Sequence, residues 1–115
     1  MKITVQSIRF NADKKLLDFI QRKTDKLDTF YDQIISGEVY LKLENVEDEA
    51  NKITEIKLML PGNQIFAKEQ CKTFEEATDL VVESLRKQIE KHKQKKTIAA
   101  ESAKKVALIA AEEGF

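Results

Sequence analysis

The 115-residue chain has one cysteine, one histidine, one proline, three glycines and no tryptophan. A single cysteine closes no internal disulfide, and Cys71 with His92 falls short of the ligand number that a zinc or iron-sulfur site requires. No serine, cysteine or carboxylate constellation is placed to use His92 as a general base, so neither an enzyme nor a cofactor nor a small-molecule substrate is expected. No apolar run approaches the roughly 20 residues of a bilayer-spanning helix. The opening MKITVQSIRF lacks the apolar core and cleavage site of a secretory signal, so the expected setting is cytoplasmic, with no membrane partner. Net charge is missing too: 20 Lys and Arg balance 20 Asp and Glu. Any charged function must then rest on where the charges sit.

What is present is enough apolar material for one core, 42% of residues, under a surface drawn from 35% charged residues. That balance reads as globular rather than disordered, and the length suits a single domain.

In KITVQSI, Ile3 and Val5 alternate with polar neighbours, as in a strand with one buried face. From Asn11 the period changes. Asn11 or Asp13 can cap a helix in which Leu16, Ile20, Leu27 and Tyr31 recur at three- and four-residue steps, ending near Tyr31. GEVYLKLENV and ITEIKLML alternate again, and PGN at 61 to 63 marks a turn before a short fourth strand, QIFAKE. Thr73 and Glu76 have capping-box spacing ahead of a long helix with Phe74, Ala77, Leu80, Val81, Leu85 and Ile89 on its apolar stripe. The order is β-α-β-β-β-α, an α+β fold with both helices on one face of a four-stranded sheet. Tyr40, Lys42, Glu44, Glu55 and Lys57 fit the other, wet face, whereas Phe10, Phe30, Phe66 and Phe74 fit the core. Cys71 is expected as a partly buried apolar residue, and for Tyr31 and Tyr40 two readings stay open, core packing or stacking on a base. Residues 1–96 are expected as the folded domain, and 97–115 as a mobile tail or a prolongation of the second helix.

The unusual stretch is RKQIEKHKQKK, residues 86 to 96, with six basic side chains and one acid, Glu90. Lys87, Lys91 and Lys95 follow at four-residue steps, a ridge of about 12 Å at roughly 1.5 Å rise per residue. Arg86 and Lys93 stand on the other side, and His92 and Lys96 fall near the core stripe where the helix is expected to leave the sheet, basic all round. In the first helix Lys15, Arg22 and Lys26 fall on one flank of the apolar stripe and Lys23 on its border, with Asp18, Asp25 and Asp28 expected on the opposite side. A helix dipole rewards cations only in the last turn, and like charges four residues apart repel. Residues alone leave two readings open: a solvated helix end, or a contact with polyphosphate. For the acidic ENVEDEAN stretch the readings are a solvated turn or a repulsive edge that orients docking.

The element order, KLDTFYDQI closing the first helix, FEEATDLVVESLRKQIEKHKQK in the second and the Lys-His-Lys ending together resemble the ribosome hibernation promoting factor family, also called ribosome-associated inhibitors and sigma-54 modulation proteins. The resemblance covers about residues 1 to 96. It implies a double-stranded-RNA-binding-domain-like fold that docks in the small ribosomal subunit at the mRNA and tRNA channel near the decoding centre, blocking translation and preserving ribosomes in stationary phase or stress. The family's RNA-facing basic positions fall on Lys23, Lys26, Lys87 and Lys91, with Lys93 and Lys95 extending the patch. Helical geometry adds Arg22, and the candidate RNA-binding set is completed by Arg86 and His92. Ser84 and Thr29 stand where members often carry a basic residue. The 97–115 tail is too short for the separate dimerisation domain of long members, so a short-form member, monomeric off the ribosome, is expected. A general duplex-RNA binder and a sigma-54-modulating interaction module remain as alternative functions.

Overall fold

The computed structural model describes residues 1–8, 10–44 and 50–104, the side chains of residues 95–104 excepted. Its elements run β1 (Ile3–Ile8), α1 (Lys14–Phe30), β2 (Ser36–Leu43), β3 (Lys52–Leu60), β4 (Asn63–Cys71) and α2 (Phe74–Lys104). They form one sheet in the order β1-β2-β3-β4. β1 pairs parallel with β2, placing Val5 beside Val39, and β2, β3 and β4 form an antiparallel meander. β4 consequently runs parallel to β1, so α1 and α2 both start from the same end of the sheet and travel side by side. This α+β arrangement is the one the alternation and helical periods predict.

Local chemistry explains the boundaries. Asp13 caps α1, its side chain accepting from the Leu16 amide at 2.8 Å, and Thr73 caps α2 through the Glu76 amide at 3.0 Å. Between β3 and β4, Pro61 supplies a fixed φ and Gly62 takes the left-handed conformation, φ 73°. Gly37 serves close packing instead. A Cβ there would meet Leu58 Cδ2 at 3.1 Å and Ile3 Cγ2 at 3.2 Å, so its lack of a side chain lets β1, β2 and β3 approach one another.

The core lies between the sheet and the two helices. Ile20 and Leu27 of α1, Val39, Leu41, Ile56 and Leu58 of the sheet, and Val81, Leu85 and Ile89 of α2 are buried in one cluster. Each large aliphatic side chain so buried is worth about 1.5–3 kcal/mol. Thr24, fully buried in α1, satisfies its hydroxyl by donating to the carbonyls of Ile20 and Gln21 at 2.9 and 3.0 Å.

Three expectations need correction. Leu80 is not on the buried stripe of α2 but 47% exposed, since five residues before Leu85 is about 140° round the helix from it. β4 is not short: it has nine residues, as many as β3, because the pairing extends from Leu60–Asn63 to Lys52–Cys71. Phe66 is not core but 58% exposed, since β4 buries Ile65 and Ala67 and the alternation turns Phe66 to the opposite face. The Asn45–Glu49 part of the acidic stretch, and with it the orienting-edge idea, lies outside the described residues, as does the tail beyond Lys104. Up to Lys104 the backbone prolongs α2.

Candidate nucleic-acid interface

The cations of the two helices separate into groups according to which way each helix turns them. Taking Leu85 as the centre of the buried stripe of α2, a turn of about 100° per residue carries Arg86 and Lys93 to the α1 side, and Lys87 and Lys91 to the outer side toward β4.

On the α1 side the two helices are tied by charge. The Lys23 ammonium lies 3.0 Å from Asp79 Oδ1, joining α1 to the second turn of α2. Arg86 reaches Glu83 through Nε at 3.2 Å and Nη2 at 2.7 Å, with Glu90 Oε2 3.8 Å from its Nη1. The hydrogen bond from Arg86 holds the Glu83 carboxyl below its usual range, and the same bond raises the Arg86 pKa. Both groups are solvent-exposed, so their mutual stabilisation is small. Lys93 donates to the Phe30 carbonyl at 3.2 Å, satisfying the C-terminal end of α1 with a positive charge.

Phenylalanines seat these cations. The Phe30 ring lies 5.8 Å from the Arg86 guanidinium carbon and 4.8 Å from Lys93 Nζ. Phe19 bears Arg22 and Lys23 in the same way, at 5.7 and 5.4 Å. The Phe19 contacts follow from three- and four-residue spacing within α1. The Phe30 contacts cross from one helix to another, and no local pattern announces them.

On the outer side, Lys87 and Lys91 are exposed and form no ion pair among the described residues; Lys26 on α1 is exposed and unpaired in the same sense. The Lys95 side chain lies outside the described residues. Below the outer ridge Gln88 donates to the Phe66 carbonyl at 2.9 Å and to Ser84 Oγ at 3.4 Å, stitching α2 to β4. Ser84, half-buried there, takes part in that packing, and Thr29 turns its hydroxyl back to the Lys26 carbonyl at 2.7 Å.

Two expectations about this region are revised. The charges of α1 are not cleanly sorted by face: Lys15, Asp18, Arg22 and Asp25 line one surface depression, because steps of three, four and three residues keep them on one side. α2 is not basic all round at His92. That ring is half-buried, edge-on to Tyr31 at 5.8 Å, with Nδ1 3.5 Å from Asn63 Nδ2. Tyr31 is itself buried and offers no surface for stacking, whereas Tyr40 lies on the open sheet face, donating to Glu38 at 2.8 Å with Lys57 over its ring. Desolvation raises the Cys71 thiol, the opposite of what a reactive thiolate needs. Among the described residues no group of three or more His, Cys, Asp or Glu side chains is arranged to hold a metal ion, and no helix is long and apolar enough to cross a membrane.

The sequence model of the family described as "Sigma 54 modulation protein / S30EA ribosomal protein" matches residues 3–97, which takes in β1 through the cationic part of α2. The chain belongs to this family. Among its relatives, the ribosome hibernation promoting factor of Pseudomonas putida is 23% identical over 95 residues, 83% of this chain and 89% of that protein. The one from Klebsiella oxytoca is 27% identical over 95 residues, 83% and 96% of the two chains. The fold likewise matches the Protein Y N-terminal domain of Thermus thermophilus, with TM-score 0.69 and 24% identity over 80% of this chain and 99% of that one. A ribosomal subunit interface protein from Coxiella burnetii gives TM-score 0.71 and 20% identity over 82% and 99%. The last two likenesses concern the fold.

Proposed function

We propose that this chain is a ribosome hibernation factor: a cytoplasmic, non-enzymatic, RNA-binding protein that lodges in the small ribosomal subunit where mRNA and tRNA pass, near the decoding centre, and keeps ribosomes idle in stationary phase or stress. The observation that carries the reading is the positive excess of residues 86–96, six bases against Glu90, with Lys87 and Lys91 exposed and unpaired among the described residues on a fold of this family. Names of relatives that share most of the chain support the ribosomal partner.

No bond is made or broken in such a mechanism. Lysines that meet phosphates release condensed counterions, so affinity falls with salt by roughly 0.9 logarithmic units per logarithmic unit of salt for each phosphate met on a duplex. Lys26, Lys87 and Lys91 are the side chains best placed for this. Lys23 and Lys93, bonded across the two helices, and Arg86, seated on Phe30 of α1, hold a rigid scaffold whose shape a folded RNA cleft recognises. The 1–96 domain binds as a monomer, and α2 runs on from it as far as Lys104.

Co-sedimentation with purified small subunits tests the proposal. Binding that is lost on adding mRNA and tRNA is the expected result. Binding that persists beside them, or that is no stronger than to generic duplex RNA, would point to a general RNA binder instead.

A further inference from the structure

Arg86 already sits in the kind of contact a phosphate would offer. Its Nε and Nη2 donate to two different oxygens of Glu83, at 3.2 and 2.7 Å, and Nη1 lies 3.8 Å from Glu90. Phe30 lies against the guanidinium at 5.8 Å. A planar guanidinium binds carboxylate and phosphate through the same pair of parallel donors, so a two-point carboxylate occupies the fork that RNA would need. Lys87 and Lys91 differ, for neither makes an ion pair among the described residues.

We propose that Glu83, backed by Glu90, is a specificity-determining residue that covers Arg86, so that RNA presenting a phosphate squarely to the guanidinium displaces the carboxylate most readily. This rests on the ribosomal RNA-binding reading above and deepens it. The unpaired lysines attract any polyphosphate, whereas Arg86 must exchange one anion for another. Loosely held RNA completes that exchange less readily, because it offers one fleeting contact against two fixed ones. A preformed cleft that brings a phosphate to the fork, held there by its contacts to Lys87 and Lys91, completes it more readily. An exposed ion pair has a small net worth, which makes the exchange feasible. Discrimination then comes from a repulsive carboxylate as much as from attraction, the usual way of rejecting wrong partners.

The test measures dissociation constants for purified small subunits and for an RNA duplex of generic sequence, using the full chain, Glu83→Gln, Arg86→Gln and the double variant. Thermal melting of each checks the fold, and Glu83→Ala repeats the measurement if the amide disturbs the helix. Glu83→Gln is expected to tighten duplex binding about twofold to fivefold, the scale of an exposed ion pair. The gain for small subunits should be smaller, and the duplex gain should vanish in the Arg86→Gln background. An equal gain without Arg86 would mean that Glu83 acts only through the general field and would overturn the proposal. So would equal gains for both RNAs, or no gain for the duplex. If the unaltered chain fails to bind small subunits, the ribosomal reading falls, while the duplex series still decides what Glu83 does.

Discussion

The two sides of α2 carry cations of the same type within one run of sequence, yet they are differently employed. Facing α1, Arg86 and Lys93 bracket Phe30, Arg86 is held by Glu83 and Lys93 by the α1 terminus, and Lys23 reaches across to Asp79. On the outer ridge Lys87 and Lys91 have no such partner among the described residues. The difference is one of rotation. A single residue step along a helix decides whether a positive charge is already engaged by the protein's own groups, as Arg86 is by Glu83, or faces outward without an ion pair among the described residues, as Lys87 does.

The contrast breaks most completely if the rotation of α2 is released. Leu85 is fully buried between α2 and the sheet. Leu85→Ala is expected to cost about 2–5 kcal/mol of stability in denaturant unfolding, with ribosome binding falling alongside. Lys87→Glu with Lys91→Glu attacks only the outer ridge. Small-subunit co-sedimentation should disappear with the melting temperature held, because both side chains are exposed. Unchanged sedimentation would remove the ridge from the interface.

On the inner side, Lys23→Gln should lower stability by at most about 1 kcal/mol, as suits one exposed ion pair. A loss of binding as large as that from the outer-ridge variant would erase the distinction between the two sides. The smallest effect is in pH. The Glu83 carboxyl titrates below its ordinary 4.5 because Arg86 bonds its charged form, so the stabilisation is present above that value and fades as pH falls through the lowered one. Carboxyl-carbon NMR should show this depressed midpoint, and Arg86→Gln should return it upward.

Much of the fold could be read in advance because each element states its own period. Val39, Leu41, Ile56 and Leu58 alternate, Ile20 and Leu27 recur at helical steps, and the Pro61–Gly62 turn and the Asp13 and Thr73 caps mark where one period gives way to another. What escaped was tertiary. Phe66 has the apolar character of a core residue, and only its register opposite Lys57 reveals that it faces outward. The candidate interface divides in the same manner. Its basic content is visible in RKQIEKHKQKK, but the covering of Arg86 and the seating of Arg86 and Lys93 on Phe30 depend on side-chain geometry and on α1 lying beside α2. His92 went inward because Tyr31 and the β3–β4 turn meet it there. The departures at Ser84 and Thr29 are used structurally, one in the bridge to β4 and one in the α1 backbone.

The most direct measurement is the salt dependence of small-subunit binding, compared between the unaltered chain and Lys87→Gln with Lys91→Gln. If these lysines meet ribosomal phosphates, the slope of log affinity against log salt becomes shallower by about two, roughly one for each contact removed. An identical slope for the two proteins would contradict the assignment of this ridge to ribosomal RNA.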